Sequence, residues 1–145
     1  MATDRRADVT WNGSLLEGSG RVDSSTSGVL GGETVSWKAR STDESGGSTS
    51  PEELIAAAHA ACFSMALSAG LSKAGTPPDQ LKTSATVTFQ PGEGITKIAL
   101  AVEGAVPGID AAAFQEAAEG AKENCPVSKA LAGVPEITLE ATLSS

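Results

Sequence analysis

The stretch Ser50–Gly70, S-P-E-E-L-I-A-A-A-H-A-A-C-F-S-M-A-L-S-A-G, decides how the rest of the chain is read. Its opening predicts a helix start. Ser50 suits the N-cap, Pro51 the first helical position, and Glu53, three residues after the cap, completes a capping box. From Leu54 to Leu67 only His59 and Ser64 interrupt a run of apolar, mostly small side chains. No face of that run is broad and polar enough for a helix on the outside of a domain, so a buried central helix is expected. Alanines at 56, 57, 58, 60, 61 and 66 let a neighbouring backbone come close, and Cys62 stands in the middle of these tight, dry surroundings.

The flanking segments fit around that helix. Ala7, Val9 and Trp11 alternate with Asp8, Thr10 and Asn12, the period of a half-buried strand, and Asn12-Gly13 signals a hairpin turn. A second strand is expected from about Leu15 to Asp23, and a third over Thr34–Arg40, where Val35, Trp37 and Ala39 alternate with polar neighbours. The segment 41–50 holds no apolar residue and reads as a surface loop. After the helix, Gly75 and Thr76-Pro77-Pro78 make a stop. Leu81–Phe89 alternates, turns at Pro91–Gly94 and continues as a partner strand over Ile95–Val106. Asp110 is the expected N-cap of another helix, and Pro126 opens a short one running to about Ala132, with Gly133 as its cap and Cys125 at its N-terminal edge. Glu136–Leu143 alternates with Ile137, Leu139, Ala141 and Leu143 facing in. The sum is an α+β fold, an antiparallel β-sheet packed with a long central helix and shorter helices.

At 145 residues the chain has the size of a single domain, 1–145. The first residues, M-A-T-D-R-R-A-D, lack the apolar core of a signal peptide, and no run is expected to approach the roughly 20 apolar residues of a membrane helix, so a cytoplasmic protein with no membrane partner is expected. A net charge of −8 with no basic cluster beyond Arg5-Arg6 argues against nucleic acid as a partner. Three Phe, two Trp and no Tyr leave the core to small aliphatic side chains. Each of these buries little area, and a core shared between two chains is one physical way out. In a reducing compartment the two cysteines point to redox chemistry or metal binding rather than a permanent bridge, with inert packing thiols as the plain alternative.

Cys62 lies about three turns into its helix, where the macrodipole helps little and burial raises a thiol pKa. A nucleophilic role therefore needs a nearby cation. His59, one turn earlier, is within reach. Cys125, at a helix start near a surface loop, is placed more favourably for a thiolate. A buried thiolate and a second thiol nearer the surface fit a two-cysteine peroxide cycle, although spacing alone does not say that the two meet. Zinc held by His59, Cys62 and Cys125 with an open fourth position is a second reading. A non-catalytic dimeric module binding a lipid-like ligand is a third. For His59 itself, a buried imidazole bonded to a backbone carbonyl is the simplest reading.

The wording of four stretches adds more. P-E-E-L-I-A-A-A-H-A-A-C-F-S-M-A-L (Pro51–Leu67), I-T-K-I-A-L (Ile95–Leu100), A-V-P-G-I-D (Ala105–Asp110) and N-C-P-V-S-K-A-L (Asn124–Leu131) resemble, in this order, the OsmC/Ohr family of thiol-dependent hydroperoxide reductases. The resemblance implies an intertwined homodimer. It also implies that Cys62 is the peroxidatic cysteine, Cys125 the resolving cysteine, Arg40 the cation at thiolate and peroxide, and Glu52 the carboxylate holding that arginine across the subunit boundary. Arg21 and Lys38 are the alternative cations. Phe63 and Met65 are expected in the pocket wall. No cofactor is implied. The partners implied are a hydroperoxide, organic more than hydrogen peroxide, and an external thiol or dihydrolipoyl-type reductant.

Overall fold

The computed structural model describes residues 1–144. The chain divides into two compact units, Met1–Leu54 and Ile55–Ser145. The first unit is a three-stranded antiparallel sheet in the order β1 (Ala7–Asn12), β2 (Ser19–Ser25), β3 (Thr34–Val35). The second and third strands of the sequence reading need correction. β2 begins only at Ser19, because Ser14–Glu17 turn back on themselves with Gly18 N–H donating to Ser14 O at 2.8 Å. β3 stops after two residues, and Trp37–Ser41 forms a short helix, α1, capped by the Ser36 hydroxyl, which accepts from Ala39 N–H. The alternation over Thr34–Arg40 therefore continues past the strand into a helical turn. Little of this unit is closed to water: Val22, 4% exposed, is its one buried hydrophobic residue, while Val9, Leu16 and Val29 stand out in solvent.

The helix α2 spans Pro51–Lys73. Ser50 caps it as expected, its hydroxyl accepting from Glu53 N–H at 3.1 Å. The reciprocal half of the capping box is absent among the described residues, since the Glu53 carboxylate accepts from the Thr49 hydroxyl instead. At the other end Gly75 takes φ +89°, open only to glycine at low cost, and Thr76 N–H closes on Leu71 O. At 23 residues the helix is long and apolar enough, by length and composition, to cross a membrane, contrary to the sequence expectation. The run is carried by alanine, which tolerates either surrounding. Nor is α2 buried all round: His59, Phe63, Leu67 and Leu71 face inward, but Ala57, Ala58, Ala61, Met65 and Ala69 are exposed. Small apolar residues on both faces hide this asymmetry from a sequence reading.

In the second unit β4 (Gln80–Gln90) and β5 (Gly94–Ala105) form the expected antiparallel hairpin, and β4 alternates exposed and half-buried residues without a break. The last strand, β6 (Glu136–Leu143), lies parallel to β5, so this sheet is mixed rather than purely antiparallel. The register brings core faces into line, pairing Ala85 with Leu100 and Leu100 with Leu139. Between β5 and β6 runs α3 (Ala111–Asn124), with Asp110 Oδ1 capping Ala113 N–H at 2.8 Å, followed by α4 (Pro126–Ala130). α4 ends before the expected Ala132, and Leu131 rather than Gly133 is its C-cap. Phe114, Ala118 and Ala121 of α3 and Phe63, Leu67 and Leu71 of α2 share one core with Ile98, Leu100 and Val102 of β5.

Candidate active site

Cys125 is where α3 ends and α4 begins. Its N–H donates to Ala121 O at 2.9 Å and its C=O accepts from Lys129 N–H at 3.0 Å, so both backbone groups are used by the flanking helices. The side chain is turned wholly inside, at 0% exposure. There it lies close enough to Cys62 of α2 for each sulfur to shift the acidity of the other, and both thiols are free. The expected arrangement is therefore inverted. Cys125, taken from sequence as the sulfur near the surface, is the sealed one, and Cys62 is half-buried. The helix periodicity explains it, because Cys62 falls at the border between the inward row of His59 and Phe63 and the outward row of Ala58, Ala61 and Met65.

The two thiols differ in acidity. Burial pushes the Cys62 pKa up, the hydrogen bond and charge of Cys125 add to this, and the Val127 N–H works against it. For Cys125 burial also opposes ionisation, more than any other single influence. Yet the hydrogen bonds from Cys62, from the N–H and hydroxyl of Ser128 and from the N–H of Val127 together bring its pKa below the ordinary thiol value. Donors that favour the charged form outweigh desolvation only because several converge on one sulfur.

His59, one turn before Cys62, does not bond a backbone carbonyl. Its Nε2 lies 2.7 Å from Ser128 Oγ, with both residues buried, and burial lowers its pKa. This arrangement does not supply the zinc reading: no group of three His, Cys, Asp or Glu among the described residues is placed to hold a metal ion. Ser128 was missed in the sequence. The signal for it was the i, i+3 spacing from Cys125 in C-P-V-S, which puts the two residues one turn apart.

In the first unit Arg40 Nε donates to Glu52 Oε1 at 2.9 Å, with side-chain exposures of 33% and 8%. The pairing expected from the resemblance is present, but within a single chain rather than across a subunit boundary. Arg40 lies in α1, not at a strand end, because the turn capped by Ser36 carries it back toward the start of α2. Of the alternative cations, Lys38 is engaged with Glu44 at 2.9 Å in solvent, and Arg21 is exposed on β2. Phe63 is not a pocket wall. It is fully buried in the core, while Met65 is 72% exposed.

Residues 43–140 match the family model described as OsmC-like protein. The whole chain is 46% identical over 148 aligned residues to the peroxiredoxin OsmC of Escherichia coli K12, covering 100% of each. The chain belongs to the OsmC-like family. A shorter relation links it to the organic hydroperoxide resistance protein of Xanthomonas axonopodis pv. citri, at 36% identity over 65% of this chain and 67% of that one. Among solved structures, the organic hydroperoxide resistance protein OhrB of Bacillus subtilis superposes with a TM-score of 0.62 at 27% identity, covering 96% of this chain and 98% of that chain. Its counterpart from Elizabethkingia anophelis gives 0.64 at 26% identity, covering 100% and 99%. The OsmC-like fold thus spans both units, and the relation to a protein named OsmC is the fuller one, in keeping with the wording of α2.

Proposed function

We propose that this chain is a cysteine-based peroxidase that reduces organic hydroperoxides, and hydrogen peroxide less well, at the expense of an external dithiol. The observation that carries the reading is the closeness of two free thiols 63 positions apart in sequence, each shifting the other's acidity, with Cys62 half-buried and Cys125 fully buried. The names of the OsmC and organic hydroperoxide resistance relatives support it.

In the proposed cycle the Cys62 thiolate attacks one peroxide oxygen. The O–O bond breaks, the alkoxide leaves and becomes an alcohol on protonation, and Cys62 is left as sulfenic acid. The Cys125 sulfur then displaces hydroxide from Cys62, giving water and a Cys62–Cys125 disulfide. Two further thiol–disulfide exchanges with a dithiol, of dihydrolipoyl or similar type, restore both thiols. No prosthetic group enters this chemistry. Among the influences that set the acidity of Cys62 none is a cation. Arg40 fills that need in the proposal, its planar guanidinium oriented by Glu52 and suited to both thiolate and peroxide oxygens.

The same reading makes the working unit a homodimer in a reducing compartment, the cytoplasm. The exposed apolar row of α2 and the scarcity of buried side chains in the first unit are what a second copy would cover. The test is a pair of substitutions assayed with cumene hydroperoxide and dithiothreitol. Cys62→Ser is expected to lose turnover entirely. Cys125→Ser is expected to consume about one peroxide per chain and then stall as sulfenic acid. Full turnover by Cys62→Ser would sink the proposal.

A further inference from the structure

The cycle leaves two buried groups unused. His59 is 0% and Ser128 8% exposed, their side chains meet at 2.7 Å, and the Ser128 hydroxyl also acts on Cys125, three residues earlier, lowering its pKa. A hydroxyl has one proton to give, so the direction of the His59–Ser128 bond decides what reaches the sulfur. If the imidazole carried its proton on Nδ1, Nε2 would take the hydroxyl proton and a buried N–H would be stranded at Nδ1, which has no hydrogen-bond partner among the described residues. With the proton on Nε2, only an unfilled lone pair remains at Nδ1, and stranded N–H groups are the rarer and costlier defect. In that tautomer Nε2–H donates to Ser128 Oγ, and the hydroxyl keeps its own proton to give to Cys125 Sγ.

We propose that His59 and Ser128 are positioning residues that aim the Ser128 hydroxyl at Cys125, so that Cys125 departs as the thiolate when a dithiol opens the Cys62–Cys125 disulfide. The inference rests on the peroxidase reading and fixes which sulfur the reductant takes. An incoming thiolate reaches half-buried Cys62, not Cys125 at 0% exposure. A bond forms between the reductant sulfur and Cys62 Sγ, the Cys62–Cys125 bond breaks, and Cys125 takes the electron pair. The second reductant thiolate then attacks its own partner sulfur, closing a cyclic disulfide and releasing Cys62, which takes up a proton in the reduced enzyme. A leaving sulfur of lower pKa departs faster. The depressed pKa of Cys125 in this reduced structure agrees with that role.

Ser128→Thr and Ser128→Val are close in shape, and only threonine keeps the hydroxyl. Full-length protein is oxidised with one equivalent of cumene hydroperoxide, and reopening of the disulfide by dithiothreitol is followed by acid quench and intact mass. Loss of one charge-assisted hydrogen bond should slow reopening roughly tenfold in Ser128→Val, with Ser128→Thr near the parent rate. His59→Gln, which keeps a donor, should be slowed less than His59→Leu. In a Cys62→Ser background, thiolate absorbance should show Cys125 titrating at higher pH in Ser128→Val than in Ser128→Thr. Equal reopening rates and equal titrations in the valine and threonine variants would overturn the inference while leaving the disulfide cycle standing. Absence of any disulfide in the parent protein would overturn the peroxidase reading itself, and with it the inference.

Discussion

Arg40 and Glu52 share one hydrogen bond but not one surrounding, and the difference decides what each substitution does. Glu52 is nearly closed to water and its Oε2 has no hydrogen-bond partner among the described residues, whereas a third of the Arg40 side chain is exposed. Removing the arginine leaves a carboxylate buried without its cation, and Arg40→Ala should cost about 3 kcal/mol. Glu52→Gln keeps an acceptor of the same shape and leaves a cation nearer solvent, so it should cost roughly 1 kcal/mol. Urea unfolding of the two variants checks the order; an equal or reversed order would mean the burial difference does not govern the pair. At this scale the sequence offered candidate residues but not their surroundings. Cys62 and Cys125 were legible by type and by family wording, yet their exposures came out reversed, because which edge of α2 faces solvent is fixed by packing against distant strands. Ser128 went unread for the same reason: its partner His59 stands 69 positions away.

Elements whose own residues carry a strong period or cap were legible. β4 alternates in burial over its full length and β6 alternates polar with apolar residues in sequence, Asp110 caps α3, and Ser50 starts α2. Replacing Ser50 with Ala should destabilise the fold by about 1 kcal/mol through loss of that cap, measurable as a lower urea midpoint. Elsewhere local pattern was not enough. Alternation over Thr34–Arg40 fits two residues of strand followed by a turn of helix as well as one strand, and nothing within Glu136–Leu143 says that it pairs parallel to β5. Helix-on-sheet spacing has its own determinant in Gly104, where an added Cβ would come within 2.5 Å of the Phe114 ring. Phe114 is 1% exposed within the core, so displacing its ring disturbs the packing around it. Gly104→Ala should therefore cost about 1–3 kcal/mol from overpacking, whereas Gly120→Ala, with open space around it and a helical backbone, should be neutral or slightly stabilising. Thermal denaturation of the two separates them.

Across the whole molecule, the apolar surface left by one chain is its least self-sufficient property. Val9, Leu16, Val29 and Met65 are all more than half exposed, on a chain that carries a net charge of −8. A shared core was already suggested by the shortage of aromatic residues, and the proposed homodimer gives these side chains somewhere to go. Met65→Asp, placing a charge in the exposed row of α2, should shift sedimentation toward the monomer; an unchanged monomeric or dimeric distribution would show that this row is not the interface. The central claim is the redox pair, and one measurement reaches it directly. Fully reduced protein is treated with one equivalent of cumene hydroperoxide and analysed by non-reducing intact mass and peptide mapping. The expected result is loss of two hydrogens per chain, located to a Cys62–Cys125 link. Two surviving thiols, or an oxidised Cys62 that never bonds Cys125, would contradict it.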